Sequence, residues 1–217
     1  MTEHPHTVDE RHYLPPMGRR WLLPLYDPLT RLAGMRRVHT GLVDRADLQP
    51  GHRILEIGCG TGNLLLAVAR RRPSTQLIGI DPDPAALRRA RRKADRAGLP
   101  IRLDRAFAGE LPIPDGSVDR VLSSFMLHHL DDEEKPRAMR EVRRVLRPGG
   151  QLHLVDFAGT PHKRGLRGHL LHRSPRLDGN LAELVLAGLR EAGLTEVAEN
   201  GHGRSPFGGY TYYRGVR

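Results

Sequence analysis

Apolar residues along this chain follow two alternating rhythms from about residue 50 onward. Short runs of strand length occur at Ile54-Leu55-Glu56-Ile57, Gln76-Leu77-Ile78-Gly79-Ile80-Asp81 and Ile101-Arg102-Leu103-Asp104-Arg105-Ala106, then at 118–124 and 151–157. Between them, apolar positions recur every three or four residues over 62–72, Ala85 to Ala97 and Asp132 to Leu146, which predicts amphipathic helices. The helix boundaries carry their own signals. Asp83 precedes Pro84 as a cap, Pro73 follows Arg70-Arg71-Arg72, Asp131 or Asp132 starts the third helix, and Arg147-Pro148-Gly149-Gly150 breaks it. Strand and helix in strict alternation predict an α/β fold with a mostly parallel sheet covered on both faces.

Outside 50–157 the pattern changes. Residues 1–15 are rich in His, Pro and charge without periodicity and read as a tail, whereas Met17 to Asp44 places Trp21, Leu22, Leu25, Leu29, Leu32, Met35, Val38 and Leu42 at helical spacing. An N-terminal helical cap over 1–45 is the expectation. Residues 158–179 are polar and basic; a helix is predicted from Asn180 to Ala192, then strands over 194–199 and 210–216 joined by a Gly-rich connection. With no internal repeat, residues 1–217 read as one domain: cap, a core over 50–157, and a closing segment over 158–217.

The first strand runs into Gly58-Cys59-Gly60-Thr61-Gly62, and a helix begins directly after it. Strand, glycine turn and helix make a nucleotide-binding unit, in which glycine allows positive φ and a close approach of ligand to the backbone. A dinucleotide fingerprint needs glycine at position 63, where this chain has Asn63, so NAD is disfavoured. Asp81 ends the next strand about 20 residues beyond the turn, where a carboxylate can accept both ribose hydroxyls.

Five segments in order, 54–62, Gly79-Ile80-Asp81, 111–119, His128-His129 and 146–150, resemble the class I S-adenosylmethionine-dependent methyltransferases. The resemblance implies a Rossmann-like seven-stranded sheet, S-adenosyl-L-methionine as cofactor, and cofactor contacts at Glu56, Gly58, Cys59, Gly60, Gly62, Asp81, Pro82, Phe107, Ala108 and Ser123. Tyr26-Asp27 resembles a pair in quinone and phospholipid methyltransferases, which adds Tyr26 to that set. Many relatives carry an acidic residue where this chain has Phe107; the adenine amino group would then turn to Asp104 or Glu110. His128, His129 and Asp156 are the candidate catalytic residues, because all three reach the rim where an open parallel sheet binds ligand. A histidine there suits general-base work on a hydroxyl acceptor.

Composition narrows the partners. A chain of 217 residues buries enough surface to fold without a disulfide, and the one cysteine, Cys59, cannot form one within the chain; a cytoplasmic setting is expected. No apolar run reaches membrane-spanning length. The net charge of +10 comes from 35 basic residues of which only Lys93, Lys135 and Lys163 are lysines, a pattern of compositional arginine bias that would also suit peripheral contact with an anionic membrane. Nucleic acid is disfavoured as acceptor: Ser123-Ser124-Phe125-Met126 departs from the Asn/Asp-Pro-Pro-aromatic motif of base-amine methyltransferases, and no target-recognition domain is apparent. His162, His169, His172 and His202 match no zinc spacing, so no metal is expected. The expected activity is in-line methyl transfer to a small apolar, lipid-like or quinone-like acceptor, the alternatives being a specialised metabolite methylated on oxygen or nitrogen, nucleic acid, or cofactor binding without catalysis.

Overall fold

The computed structural model describes residues 34–158 and 182–217. The predicted tail, the cap upstream of residue 34 with Trp21 and Tyr26, and the segment 159–181 with His162, His169 and His172 lie outside the described residues. The described elements are α1 (Met35–Arg45), β1 (Arg53–Ile57), α2 (Asn63–Arg71), β2 (Gln76–Asp81), α3 (Pro84–Arg96), β3 (Ile101–Arg105) and β4 (Val118–Ser124). A 3₁₀ turn over Leu127–His129, α4 (Glu134–Val145), β5 (Leu146–Phe157), α5 (Ala182–Glu191), β6 (Thr195–Ser205) and β7 (Gly208–Val216) complete them.

The seven strands form one sheet in the order β3-β2-β1-β4-β5-β7-β6. β1 to β5 are parallel to one another, and β7 runs antiparallel to both β5 and β6. Side chains of β1, β2, β4, β5 and β7 divide between two apolar clusters, so the sheet is covered on both faces. Leu55, Ile57, Val121 and Tyr213 pack with Met139 and Val142 of α4 and Leu189 of α5. Ile54, Leu122 and Tyr212 pack instead with Leu42 of α1 and Leu65 of α2.

Local chemistry sets the helix ends. Asp83 Oδ1 accepts from the Ala85 amide at 2.8 Å with Pro84 in the first turn of α3, and Asp131 Oδ1 accepts from the Glu133 and Glu134 amides at 3.0 and 2.8 Å to start α4. Two boundaries differ from the sequence expectation. β5 begins at Leu146 rather than Gln151, because the Gly149 amide donates to the Arg217 carbonyl at 2.9 Å and Gly150 accepts from the Arg217 amide at 3.0 Å. The Gly-rich stretch expected as a connection is strand, with Gly203 paired to Tyr210 and the Tyr210 ring lying where a Gly203 side chain would be.

Chain order reverses between β1, followed outward by β2 and β3, and β4, followed outward by β5. That switch point opens a crevice beyond the carboxyl ends of β1 and β4, flanked by the glycine turn and the 3₁₀ turn. No helix among the described residues is long and apolar enough to cross a membrane.

Candidate active site

One wall of the crevice is the turn between β1 and α2. Gly58, Gly60 and Gly62 have φ of 71°, 51° and 76°, all in the left-handed region. The Gly58 and Cys59 amides both donate to the Ile80 carbonyl at 2.8 and 3.0 Å, which fastens the turn to the end of β2. A side chain at Gly58 would strike Met126, whereas one at Gly60 would meet nothing within 4 Å. The turn is therefore closed at its first glycine and open at its second. Cys59 is buried against Gly79, and burial, followed by Glu56 and Asp81, pushes its thiol well up; it is a core side chain rather than a nucleophile.

Behind the turn sit three carboxylates. Asp81, 7 % exposed, accepts from the Gly60 amide through Oδ2 at 2.8 Å and from the Asp83 amide through Oδ1 at 2.9 Å. Burial raises its carboxyl to about 6 against the lowering effect of those two amides. Glu56, 2 % exposed, is pushed well above the usual carboxylate range by burial and then by Asp81; the Leu65 amide in the first turn of α2 donates to it, and its Oε2 has no partner. Asp83 Oδ2 is likewise buried and unpartnered. Such a group of buried acids favours a cation beside it.

The opposite wall carries the histidines. His128 Nδ1 lies 2.7 Å from Asp156 Oδ1, and the His128 amide donates to Asp156 Oδ2 at 3.2 Å. Asp156, at the end of β5, is fully buried and also accepts from the Phe157 amide at 2.7 Å. With its Nδ1 committed to the carboxylate, the imidazole presents Nε2 as its remaining nitrogen. The His129 ring lies against it, tilted by 39° with centroids 4.1 Å apart, and Phe157 stands edge-on at 5.0 Å.

Phe125, the first residue past β4, has φ of 53°, a left-handed conformation unusual for an aromatic residue. It places its ring 4.7 Å from Phe157 and 6.2 Å from Tyr210, so three aromatic rings stand beside the His128 pair. Periodicity did not single out Phe157 and Tyr210, which belong to strands far apart in sequence. Ser124 was also missed: its hydroxyl is buried without a partner at the carboxyl end of β4. The neighbouring Ser123 hydroxyl donates to the Ile57 carbonyl at 3.2 Å, inside the sheet. Phe107 and Ala108 follow β3 and are half-buried, Asp104 is ion-paired with Arg102 at 2.7 Å, and the Pro82 carbonyl accepts from Arg105 Nε at 3.2 Å.

A family model described as a methyltransferase domain matches residues 54–150, which hold both walls of the crevice except Asp156, Phe157 and Tyr210. Over those residues the chain is an S-adenosylmethionine-dependent methyltransferase domain. The chain is 39 % identical over 143 residues to a demethylmenaquinone methyltransferase of Thermus thermophilus, an alignment covering 64 % of each chain. It is 36 % identical over 172 residues to the 27-O-demethylrifamycin SV methyltransferase of Amycolatopsis mediterranei, covering 75 % of this chain and 62 % of that one. The matched stretch thus spans just under two thirds of either relative. Its fold is that of a methyltransferase from Aquifex aeolicus, with a TM-score of 0.65 at 18 % identity over 88 % of this chain and 97 % of the other. The family's cofactor carries a sulfonium and an ammonium, and the unpartnered Glu56 oxygen and the open face of Gly60 fit such a cationic ligand.

Proposed function

We propose that this methyltransferase alkylates a hydroxyl on a small, apolar, ring-bearing acceptor of quinol, phenol or polyketide type. The observation that carries this reading is the 2.7 Å pair of His128 Nδ1 and Asp156 Oδ1 at the crevice rim. S-adenosylmethionine, when bound, supplies a methyl group already activated for in-line displacement. Its holders in this chain would be the amides and open face of the glycine turn, Asp81 toward the ribose, Glu56 toward the cationic end, and Pro82, Phe107, Ala108 and Ser123 along the remaining wall.

An amine acceptor needs alignment above all, since its lone pair is available once neutral. A hydroxyl gains from losing its proton as the bond to carbon forms. His128 would take that proton at Nε2, while Asp156 holds Nδ1–H and stabilises the imidazolium that results. His129 lies against the ring that does this and would line the acceptor. Phe125, Phe157 and Tyr210 would shelter an apolar ring there and exclude water. The printed names of two relatives, one for a demethylmenaquinone and one for the 27-O position of a rifamycin, support a ring-bearing acceptor.

The test incubates purified protein with methyl-labelled S-adenosylmethionine and a lysate of its source, then separates organic-extractable, aqueous, nucleic-acid and protein fractions. Label in the organic fraction that His128→Gln fails to produce is the expected result. Label in nucleic acid, or organic label undiminished by His128→Gln, overturns it.

A further inference from the structure

Away from the crevice rim, α1, α2 and α3 converge around a cavity of about 700 Å³. Its charged lining comes from all three helices: Arg36 from α1, Arg70 and Arg71 from α2, Lys93 and Arg96 from α3. No carboxylate lines it among the described residues. His39 also faces it, and burial pushes its imidazole down to about 4, so it is a neutral ring there.

The arginines of this cavity are poorly compensated. Arg71 pairs with Asp44 at 2.8 Å on an exposed surface, a contact worth little. Arg36, Arg70 and Arg96 have no carboxylate partner among the described residues. Arginines on a solvated helix face can splay apart; these come from three elements to line one concavity, together with the apolar Met35, Leu66 and Ala67. Low-dielectric walls of one sign concentrate the field in such a hollow. Guanidinium forks match the oxygens of phosphate in paired hydrogen bonds. A cavity of this size also has the volume of a small-ligand site.

We infer that the hollow between α1, α2 and α3 is a second ligand site, for a polyanion bearing phosphate groups. S-adenosylmethionine, cationic and without phosphate, is the wrong ligand for it, so the site takes a different molecule from the crevice. The two sites are neighbours through one side chain: Lys93 Nζ donates to Thr61 Oγ1 at 3.1 Å and to Asn63 Oδ1 at 2.8 Å, where the glycine turn enters α2. The inference is independent of which acceptor is methylated.

Calorimetric titration of the full chain with inorganic tripolyphosphate at near-physiological salt tests it. The double variant Arg70→Gln/Arg96→Gln removes two cavity arginines, and Arg88→Gln/Arg92→Gln removes the same charge from an exposed part of α3 outside the cavity. S-adenosylhomocysteine affinity, expected to be unchanged in both, reports that each variant is folded. The expected result is one tripolyphosphate per chain, weakened by about tenfold or more in the cavity variant, the scale of lost charge-assisted contacts, and nearly unchanged in the other. No binding, or equal weakening in both variants, overturns the site and leaves a diffuse basic surface. A second arm names the source of the phosphate. Sedimentation with phosphatidylglycerol vesicles but not phosphatidylcholine vesicles, reversed by tripolyphosphate, assigns a lipid headgroup; tripolyphosphate binding without sedimentation assigns a soluble phosphate ester.

Discussion

Asp156 holds His128 from two directions at once, its Oδ1 2.7 Å from the imidazole Nδ1 and its Oδ2 accepting from the same residue's amide at 3.2 Å. One buried carboxylate therefore fixes both the ring and the turn that carries it. Replacing Asp156 by Asn keeps the volume but offers a single acceptor oxygen, so the imidazole loses its fixed tautomer. Turnover should fall by about 10²–10⁴-fold, the range for a misdirected general base, with S-adenosylhomocysteine affinity unchanged by calorimetry. Equal losses in turnover and cofactor affinity would show that Asp156 serves the fold instead.

The glycines of the turn should separate stability from binding. Gly60→Ala costs about 1–2 kcal/mol for the left-handed backbone, yet its new methyl enters open space. Gly58→Ala adds a collision with Met126 and should cost about 2–4 kcal/mol in denaturant unfolding. Cofactor affinity should drop more for Gly60→Ala than its stability does. A Gly60→Ala protein that binds S-adenosylhomocysteine normally would remove this glycine from the cofactor site.

Asp81 gives the cofactor site a pH dependence. Its carboxyl titrates near 3.8 in the unfolded chain and about 6 in the folded one, so between those values the folded chain holds the extra proton. Stability of the cofactor-free protein should therefore decline as pH rises through that window, by roughly 3 kcal/mol at most. Ribose hydroxyls donate best to the ionised carboxylate, so S-adenosylhomocysteine affinity should rise over the same window and binding near pH 6 should release protons. Titrations in two buffers of different ionisation enthalpy measure that release. Asp81→Ala should weaken binding by about 1.5–3 kcal/mol and flatten the pH profile.

The strands were legible where an apolar run had clear punctuation. β2 and β4 have the predicted bounds, since Asp81 and Ser124 close runs that start after turn residues. Both walls of the crevice were legible as a list of residues, but the His128 pairing was not, because it depends on the β4–β5 register that sets Ser124 opposite Val155. Gly201, Gly203 and Gly208 read as loop, yet they lie in β6 and β7, which pair with Gly203 opposite Tyr210 and Gly208 opposite Ser205, a long-range register that local composition does not show. Arg120 broke the apolar pattern of β4 for a reason invisible along the chain: it is buried and gives Nε to the Ala46 carbonyl at 2.8 Å.

His153 in β5 should set the acid limit of the fold. It is 1 % exposed, and burial, reinforced by Arg120 and Arg214, pushes its imidazole down to about 3. The unfolded chain binds a proton there below pH 6.5 while the folded chain does not, so stability is lost as pH falls from 6.5 toward 3, at about 1.4 kcal/mol per unit. His153→Gln should move the acid unfolding midpoint to lower pH. An unchanged midpoint would place the acid trigger elsewhere.

The packing of α1 ties the order of synthesis to the order of folding. Its Val38 carbonyl accepts from the Tyr212 hydroxyl at 3.0 Å across 174 positions of sequence, and the Arg45 guanidinium lies 4.3 Å above the same ring. β7 is also inserted between β5 and β6 rather than added at the edge. A nascent chain on the ribosome can thus assemble the parallel strands β1 to β5 while α1 still lacks the ring it rests on. The first described helix is secured by the last described strand, so ribosome-bound fragments ending before residue 212 should expose α1 to protease.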